Sequence, residues 1–260
     1  MLSFILLGII QGLTEFLPIS SSGHLILARD ILGFVTPYPL AVDAILQLGT
    51  IGAVYIYFAP ELWQLLKSFF QGKRTLGWAI LVGTIPALLI GLIAEEYIDL
   101  YLRSAWVVSM VLIVGALLFL LTEKFFSQGK DRIEQITIKS GLITGIAQCL
   151  AFIPGFSRSG ATIMAGMTQG LSREAAARFS FYLSLPIITL SGLKKLYDLS
   201  QIGLPQGIGL ELTIGTIIAF IVGLACIHLL LSYLKNHSLA IFAWYRIILA
   251  MLCLFMLISR

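Results

Sequence analysis

The chain has 260 residues, 58% hydrophobic and 12% charged, with a formal net charge of +4 and a mean hydropathy of +0.98. A soluble domain carries about 25% charged residues, so this composition excludes a water-coated globule and specifies an integral membrane protein. The modest positive charge implies no nucleic-acid partner, because membrane proteins collect Lys and Arg in their cytoplasmic loops.

The first basic residue is Arg29, so no cleavable signal peptide with a positive start is expected. A spanning helix needs about 20 mainly apolar residues. Residues 1–27 are apolar but broken by Glu15, Pro18 and the run Ser20, Ser21, Ser22, Gly23, His24. Stretches 41–58, 75–94 and 104–122 are then predicted spans. Residues 140–170 are broken again, by Pro154, Gly155 and Arg158. Spans are predicted once more at 175–193, 212–234 and 238–259. Irregular backbone at membrane depth survives only inside protein or beside a water-filled cavity, so each broken region is expected to be a re-entrant helical hairpin. The expected fold is all-α, with six transmembrane helices and two re-entrant hairpins in a single membrane domain, 1–260. Cys149, Cys226 and Cys253 fall in apolar segments without metal-ligand spacing and are expected to pack as small hydrophobes.

The broken regions are copies of each other. "GIIQGLTEFLPISSSG", from Gly8 to Gly23, aligns with "GIAQCLAFIPGFSRSG", from Gly145 to Gly160, with one gap in each. "GTIPALLIGL" from Gly83 matches "GTIIAFIVGL" from Gly215 at six of ten positions. The chain reads as a duplication, with halves of about 1–125 and 126–260. Three crossings per half is an odd number, so the second half is expected upside down, as an inverted-topology repeat. One side then holds Lys67, Lys73, Arg74, Lys124, Lys130, Arg132, Lys139, Arg173 and Lys235. The other holds Arg29, Arg103, Lys194, Lys195 and Arg260. The richer side is assigned to the cytoplasm, which puts both termini outside.

In this arrangement Glu15, His24 and Arg158 converge in one membrane-enclosed cavity, and charges at such depth are functional candidates by default. Ser157, Ser159, the backbone near Gly155 and Gly160, and the Arg158 fork make an anion-binding helix start. Two such loops facing each other suit a diphosphate. Glu15 serves a different purpose there, holding a divalent cation or handling a proton. Other polar residues have plainer readings: Pro18 and Pro154 shape the tips, Asp43 caps a helix, Arg178 and Arg246 snorkel to an interface, and His228 is packed and hydrogen-bonded.

The sequence resembles, over essentially its whole length, the bacterial undecaprenyl-diphosphate phosphatases, also called bacitracin-resistance proteins. One family signature, a Glu or Gln separated by three residues from a Glu, is met by Gln11 and Glu15, followed by Ser20, Ser21, Ser22, Gly23 and His24. The second, Pro-Gly-x-Ser-Arg-Ser-x-x-Thr, is met by Pro154, Gly155, Ser157, Arg158, Ser159 and Thr162. Gln11 stands where many members carry Glu, which removes one carboxylate. The resemblance implies hydrolysis of undecaprenyl diphosphate to undecaprenyl phosphate and inorganic phosphate, which recycles the lipid carrier of cell-wall synthesis and confers bacitracin resistance. It also implies a need for Mg²⁺ or Ca²⁺, and a site in the bacterial cytoplasmic membrane open to the outer face.

The resulting assignment takes Glu15, Ser21, His24 and Arg158 as catalytic. Gln11, Ser20, Ser22, Gly155, Ser157, Ser159 and Thr162 are taken as phosphate-binding, with Glu15 also a metal ligand. Ser21 is the candidate nucleophile and direct attack by water the alternative. The partners expected are a polyprenyl diphosphate and the bilayer, with a second copy of the chain admissible. A carrier for the lipid phosphate would use the same fold and clamp, but would not need Glu15 and His24 placed for proton transfer. An acid-phosphatase-like lipid phosphatase fails because its upstream Lys-rich and downstream Arg-plus-His motifs are missing.

Overall fold

The computed structural model describes residues 1–33, 38–72, 75–127, 129, 133–202 and 208–259. Its helices in chain order are α1 (Leu2–Thr14), α2 (Ser21–Leu32), α3 (Pro39–Tyr57), α4 (Ala59–Phe70), α5 (Thr75–Tyr101) and α6 (Ala105–Phe126), then α7 (Ile138–Gln148), α8 (Arg158–Thr168), α9 (Arg173–Ile202), α10 (Ile208–Leu234) and α11 (Ala240–Ile258). The described residues contain no strand. Six helices, α3, α5, α6, α9, α10 and α11, are long and apolar enough to cross a membrane, each at a position read from sequence. The two broken regions each form a pair of short helices, α1 with α2 and α7 with α8.

Local chemistry sets the boundaries. Pro39 opens α3 at a position where its missing N–H is not needed. The Ser104 hydroxyl accepts from Val107 N–H at the start of α6, and the Thr137 hydroxyl from Ser140 N–H at the start of α7. Gly33 ends α2 in the left-handed region, donating its N–H to Arg29 and Asp30 carbonyls. Pro86 and Pro186 stand inside α5 and α9, where each removes a backbone hydrogen bond.

The packing exchanges the halves. Helix α1 lies against α10, while α7, its sequence counterpart, lies against α5; α3 packs on α9 and α6 on α11. Gly8 backs onto Gly215 and Gly145 onto Gly83, so closely that a Cβ on Gly8 or Gly145 would meet the facing backbone. In the alignment Gly8 matches Gly145 and Gly83 matches Gly215, so the two contacts are images of one another. Such exchange is what an internal two-fold produces, and it fits an inverted repeat. The core gathers Phe16 from the first hairpin tip with Phe58 and Phe181. Phe16 and Phe181 meet edge to face, with centroids 5.3 Å apart. Outward-facing residues such as Ile93, 83% exposed, suit a lipid boundary.

Several expectations are corrected. Helix α4, between the first two spans, was not anticipated. It buries no residue, and Lys67 lies over the Trp63 ring at 5.2 Å, the composition of a helix lying along an interface. Asp43 does not cap α3, whose first residue is Pro39. It is buried and takes a bidentate ion pair from Arg29 on α2, with Arg103 at 3.9 Å. Arg246 does not snorkel; it is fully buried. Arg178 pairs with Glu174 and Glu61 over the Phe58 ring. His228 is exposed rather than packed, though Tyr57 Oη is within hydrogen-bond reach. The three cysteines are free, with Cys226 and Cys253 buried and Cys149 partly so. Of the residues used for orientation, Lys73, Arg74, Lys130, Arg132 and Arg260 lie outside the described residues.

Candidate active site

Two loops with matching helix starts form the site. Ser20 and Ser157 both have positive φ, 74° and 80°, a region non-glycine residues rarely enter. Each caps the helix that follows: Gly23 N–H donates to the Ser20 hydroxyl at 3.3 Å, and Gly160 N–H to the Ser157 hydroxyl at 3.1 Å. Each hydroxyl also meets the one two residues on, Ser22 at 3.3 Å and Ser159 at 3.1 Å. Ser20 matches Ser157, and Ser21 and Arg158 are both the first residues of their helices.

Glu15 joins the hairpins. Its Oε2 accepts from Gln11 Nε2 and from the Ser21 hydroxyl, both at 2.8 Å. Its Oε1 accepts from Arg158 Nη2 at 3.1 Å, across 143 residues of sequence. The side chains of Glu15 and Arg158 are 4% and 12% exposed. Breaking a pair this buried by removing one partner costs about 3–5 kcal/mol, because the other charge is stranded. Arg158 Nη1 also donates to the Ser180 carbonyl at 3.2 Å.

These groups open onto a cavity of about 160 Å³, lined among others by Glu15, Ser20, Ser21, Ser22, Ser157 and Arg158. A second cavity of about 120 Å³ shares Ser22, Gln47 and Ser191 with it and continues to Asp43, Arg103 and Lys195. The basic residues at that mouth belong to the less basic of the two sides read from sequence.

The remaining expected residues stand behind the wall. Gln11 is buried against Glu15. Ser159 donates to the Leu17 carbonyl at 3.2 Å, tying the second loop to the first. Thr162 is fully buried, its hydroxyl 2.8 Å from the Arg158 carbonyl and 2.6 Å from the Ser180 hydroxyl. Gly155, at φ 99°, shapes the second tip, where a Cβ would run into Val108. His24 is not brought to the cavity. Its Nδ1 meets the Ser20 carbonyl at 2.7 Å, and its Nε2 meets Tyr245 Oη at 2.8 Å.

Sequence reasoning missed Gln47, Gln148 and Ser191 in the wall and Arg246 behind it. Arg246 Nη1 donates to the Pro18 carbonyl at 3.3 Å and Nη2 to the Gly155 carbonyl at 3.0 Å. One guanidinium thus fastens both tips, and it also reaches the Leu112 carbonyl on α6 at 3.2 Å. Gln148 had a signal, since it matches Gln11 in the repeat. Arg246 gave none beyond being a cation inside a span.

Among the described residues, no group of three or more His, Cys, Asp or Glu side chains is arranged for a metal. Glu15 is the acidic residue of the cavity wall, and the Gln11 Oε1 beside it is buried without a partner. That donor set fits Mg²⁺ in its usual mode, keeping waters and bound through a carboxylate together with substrate phosphates. It does not make a cage for a resident ion.

The model of the family described as bacitracin resistance protein BacA matches residues 4–252. The undecaprenyl-diphosphatase of Corynebacterium glutamicum is 43% identical over 253 residues, covering 94% of this chain and 86% of its own. That of Mycolicibacterium smegmatis is 42% identical over 270 residues, covering 98% and 96%. That of Mycolicibacterium gilvum is 41% identical, with the same coverage.

Proposed function

The chain belongs to the bacitracin resistance protein BacA family, and from that premise we propose that it hydrolyses undecaprenyl diphosphate to undecaprenyl phosphate and inorganic phosphate. The observation that carries this reading is the Ser21–Glu15–Arg158 network, which spans both hairpins inside one cavity. It places an alcohol, a base and an anion clamp together. The polyprenyl tail stays among the lipid-facing helices while the diphosphate enters the cavity, and the product is the recycled lipid carrier of cell-envelope synthesis.

The geometry gives an order of events. Without substrate, Arg158 and Glu15 neutralise each other. An incoming diphosphate competes for the guanidinium, which binds phosphate oxygens in paired hydrogen bonds. Glu15, released from Arg158, takes the proton from the Ser21 hydroxyl it already accepts from. The Ser21 oxygen forms a bond to the terminal phosphorus, and the bond from that phosphorus to the bridging oxygen breaks. Undecaprenyl phosphate departs with the electron pair. After Glu15 releases its proton to water, it activates a water molecule that cleaves phosphoserine to inorganic phosphate. Arg158 and the backbone N–H groups of the capped loops stabilise charge on the transferring group. A divalent cation, when bound, would neutralise the diphosphate; Glu15 would hold it together with the substrate phosphates. His24, facing Tyr245 and the Ser20 carbonyl, positions the first loop in this scheme rather than moving a proton.

We place the protein in the bacterial cytoplasmic membrane, with the cavity open to the outer face. The continuation of the cavity towards Arg103 and Lys195 supports that direction. The test is phosphate release from undecaprenyl diphosphate by purified protein in detergent, with and without Mg²⁺, beside Glu15→Gln and Arg158→Ala. Metal-dependent release, lost in both variants, is expected. No release from folded wild type would overturn the hydrolase reading.

A further inference from the structure

We propose that the Gln148 carboxamide is a phosphate-contacting group of this site, donating its Nε2–H to a non-bridging oxygen of the bound diphosphate. Gln148 is the last residue of α7 and only 2% exposed. Its Nε2 and Oε1 are both buried without any hydrogen-bond partner, and the side chain lines the cavity that Ser21 and Arg158 also line. Buried polar atoms are nearly always paired, and an amide left unpaired on both sides calls for an explanation. Arg158 supplies a companion: its two Nη atoms are used by Glu15 and Ser180, while its Nε is buried and unpartnered. Two residues of the second hairpin that line one cavity therefore each hold an unsatisfied N–H donor just behind its surface. Such a pair is complementary to an anion, and the free Oε1 acceptor suits a phosphate hydroxyl or water beside it.

The internal repeat sharpens the assignment. Gln11, the counterpart in α1, gives its Nε2 to Glu15. Four residues beyond Gln148, the spacing of Glu15 from Gln11, stands Phe152, which cannot accept that bond. The same glutamine is thus spent on a protein carboxylate in one half and left for a ligand in the other. The identity of the ligand rests on the diphosphatase reading; the demand for a polar partner at Gln148 rests on geometry alone.

The test uses the purified full chain in detergent and two variants, Gln148→Met and Gln148→Glu. Met keeps length and volume without polar atoms. Thermal unfolding is followed with and without inorganic diphosphate, alongside phosphate release from undecaprenyl diphosphate. Gln148→Met is expected to unfold at the same or a higher temperature than wild type without ligand, since it removes an orphaned amide. Its affinity for diphosphate and its kcat/KM are expected to fall about 10- to 100-fold, the value of a hydrogen bond to a charged group. Gln148→Glu, which adds a negative charge, is expected to lose more. A lower unfolding temperature for Gln148→Met with unchanged affinity and unchanged kcat/KM would assign Gln148 a structural role and overturn the proposal. If wild type is stabilised by diphosphate but releases no phosphate from the lipid, the hydrolase reading fails. Loss of that stabilisation in Gln148→Met would still uphold the contact.

Discussion

The two hairpins share a helix start and differ in chemistry. Each turns through a serine at positive φ, caps the next helix with that serine's hydroxyl, and links it to a second hydroxyl two residues on. At the first position of the following helix one has Ser21 and the other Arg158. Where the first has Glu15, the second has Phe152. A duplicated loop gives two cradles of oriented N–H groups, and divergence at a few positions puts a hydroxyl beside a carboxylate in one and a guanidinium in the other, the pair that the proposed scheme uses as nucleophile with base and as clamp. The division also solves an electrostatic problem. Glu15 alone at this depth would repel a diphosphate and Arg158 alone would be a stranded cation; facing each other, they are neutral until substrate arrives.

The comparison can be broken at its largest difference. Exchanging the two residues, Ser21→Arg with Arg158→Ser, keeps the composition and both cradles but moves the nucleophile away from Glu15. Phosphate release should fall about 1,000-fold or more, from lost base catalysis and lost charge stabilisation together. Activity within about 10-fold of wild type would show that the hairpins are interchangeable. The next largest effect is expected at the fastening between them. Arg246→Met strands the Pro18 and Gly155 carbonyls, each costing about 1–3 kcal/mol, so the protein should be destabilised by about 2–6 kcal/mol in a denaturation series. Turnover should also drop, because the Glu15–Arg158 geometry loosens. The smallest effect tests what the hairpins share. Ser20→Ala and Ser157→Ala each remove one cap and should each cost about 1 kcal/mol of stability. Clearly unequal costs would mean the two loops are not equivalent frames.

Much of this was legible in the sequence because the membrane makes its demands visible. Six apolar stretches had to be helices, and two interrupted ones had to hide their irregular backbone. The repeat paired Gly8 with Gly145 and Gly83 with Gly215, and the structure uses those glycines as matching close contacts. The approach of Glu15 to Arg158 followed from the expense of charge at depth. What sequence could not show was direction. His24 sits three residues from Ser21, the spacing of helix neighbours, yet its ring nitrogens meet the Ser20 carbonyl and Tyr245 instead of the cavity. Asp43 falls near a span start, yet its partner is Arg29 on another helix. Arg246 looked like an interfacial cation because its partners are backbone carbonyls, and carbonyls carry no sequence signature. Helix α4 escaped because its apolar residues form one face of a short helix rather than a span.

The most direct test of the divided site is the stereochemical course at phosphorus, followed with undecaprenyl diphosphate carrying a chiral, isotopically labelled thiophosphate at its terminal position and hydrolysed in water of a third oxygen isotope. Transfer to Ser21 and then to water is two in-line displacements, so the released thiophosphate should retain configuration. Inversion would mean a single attack by water, and would contradict the assignment of Ser21 on the first hairpin as nucleophile against the Arg158 clamp on the second.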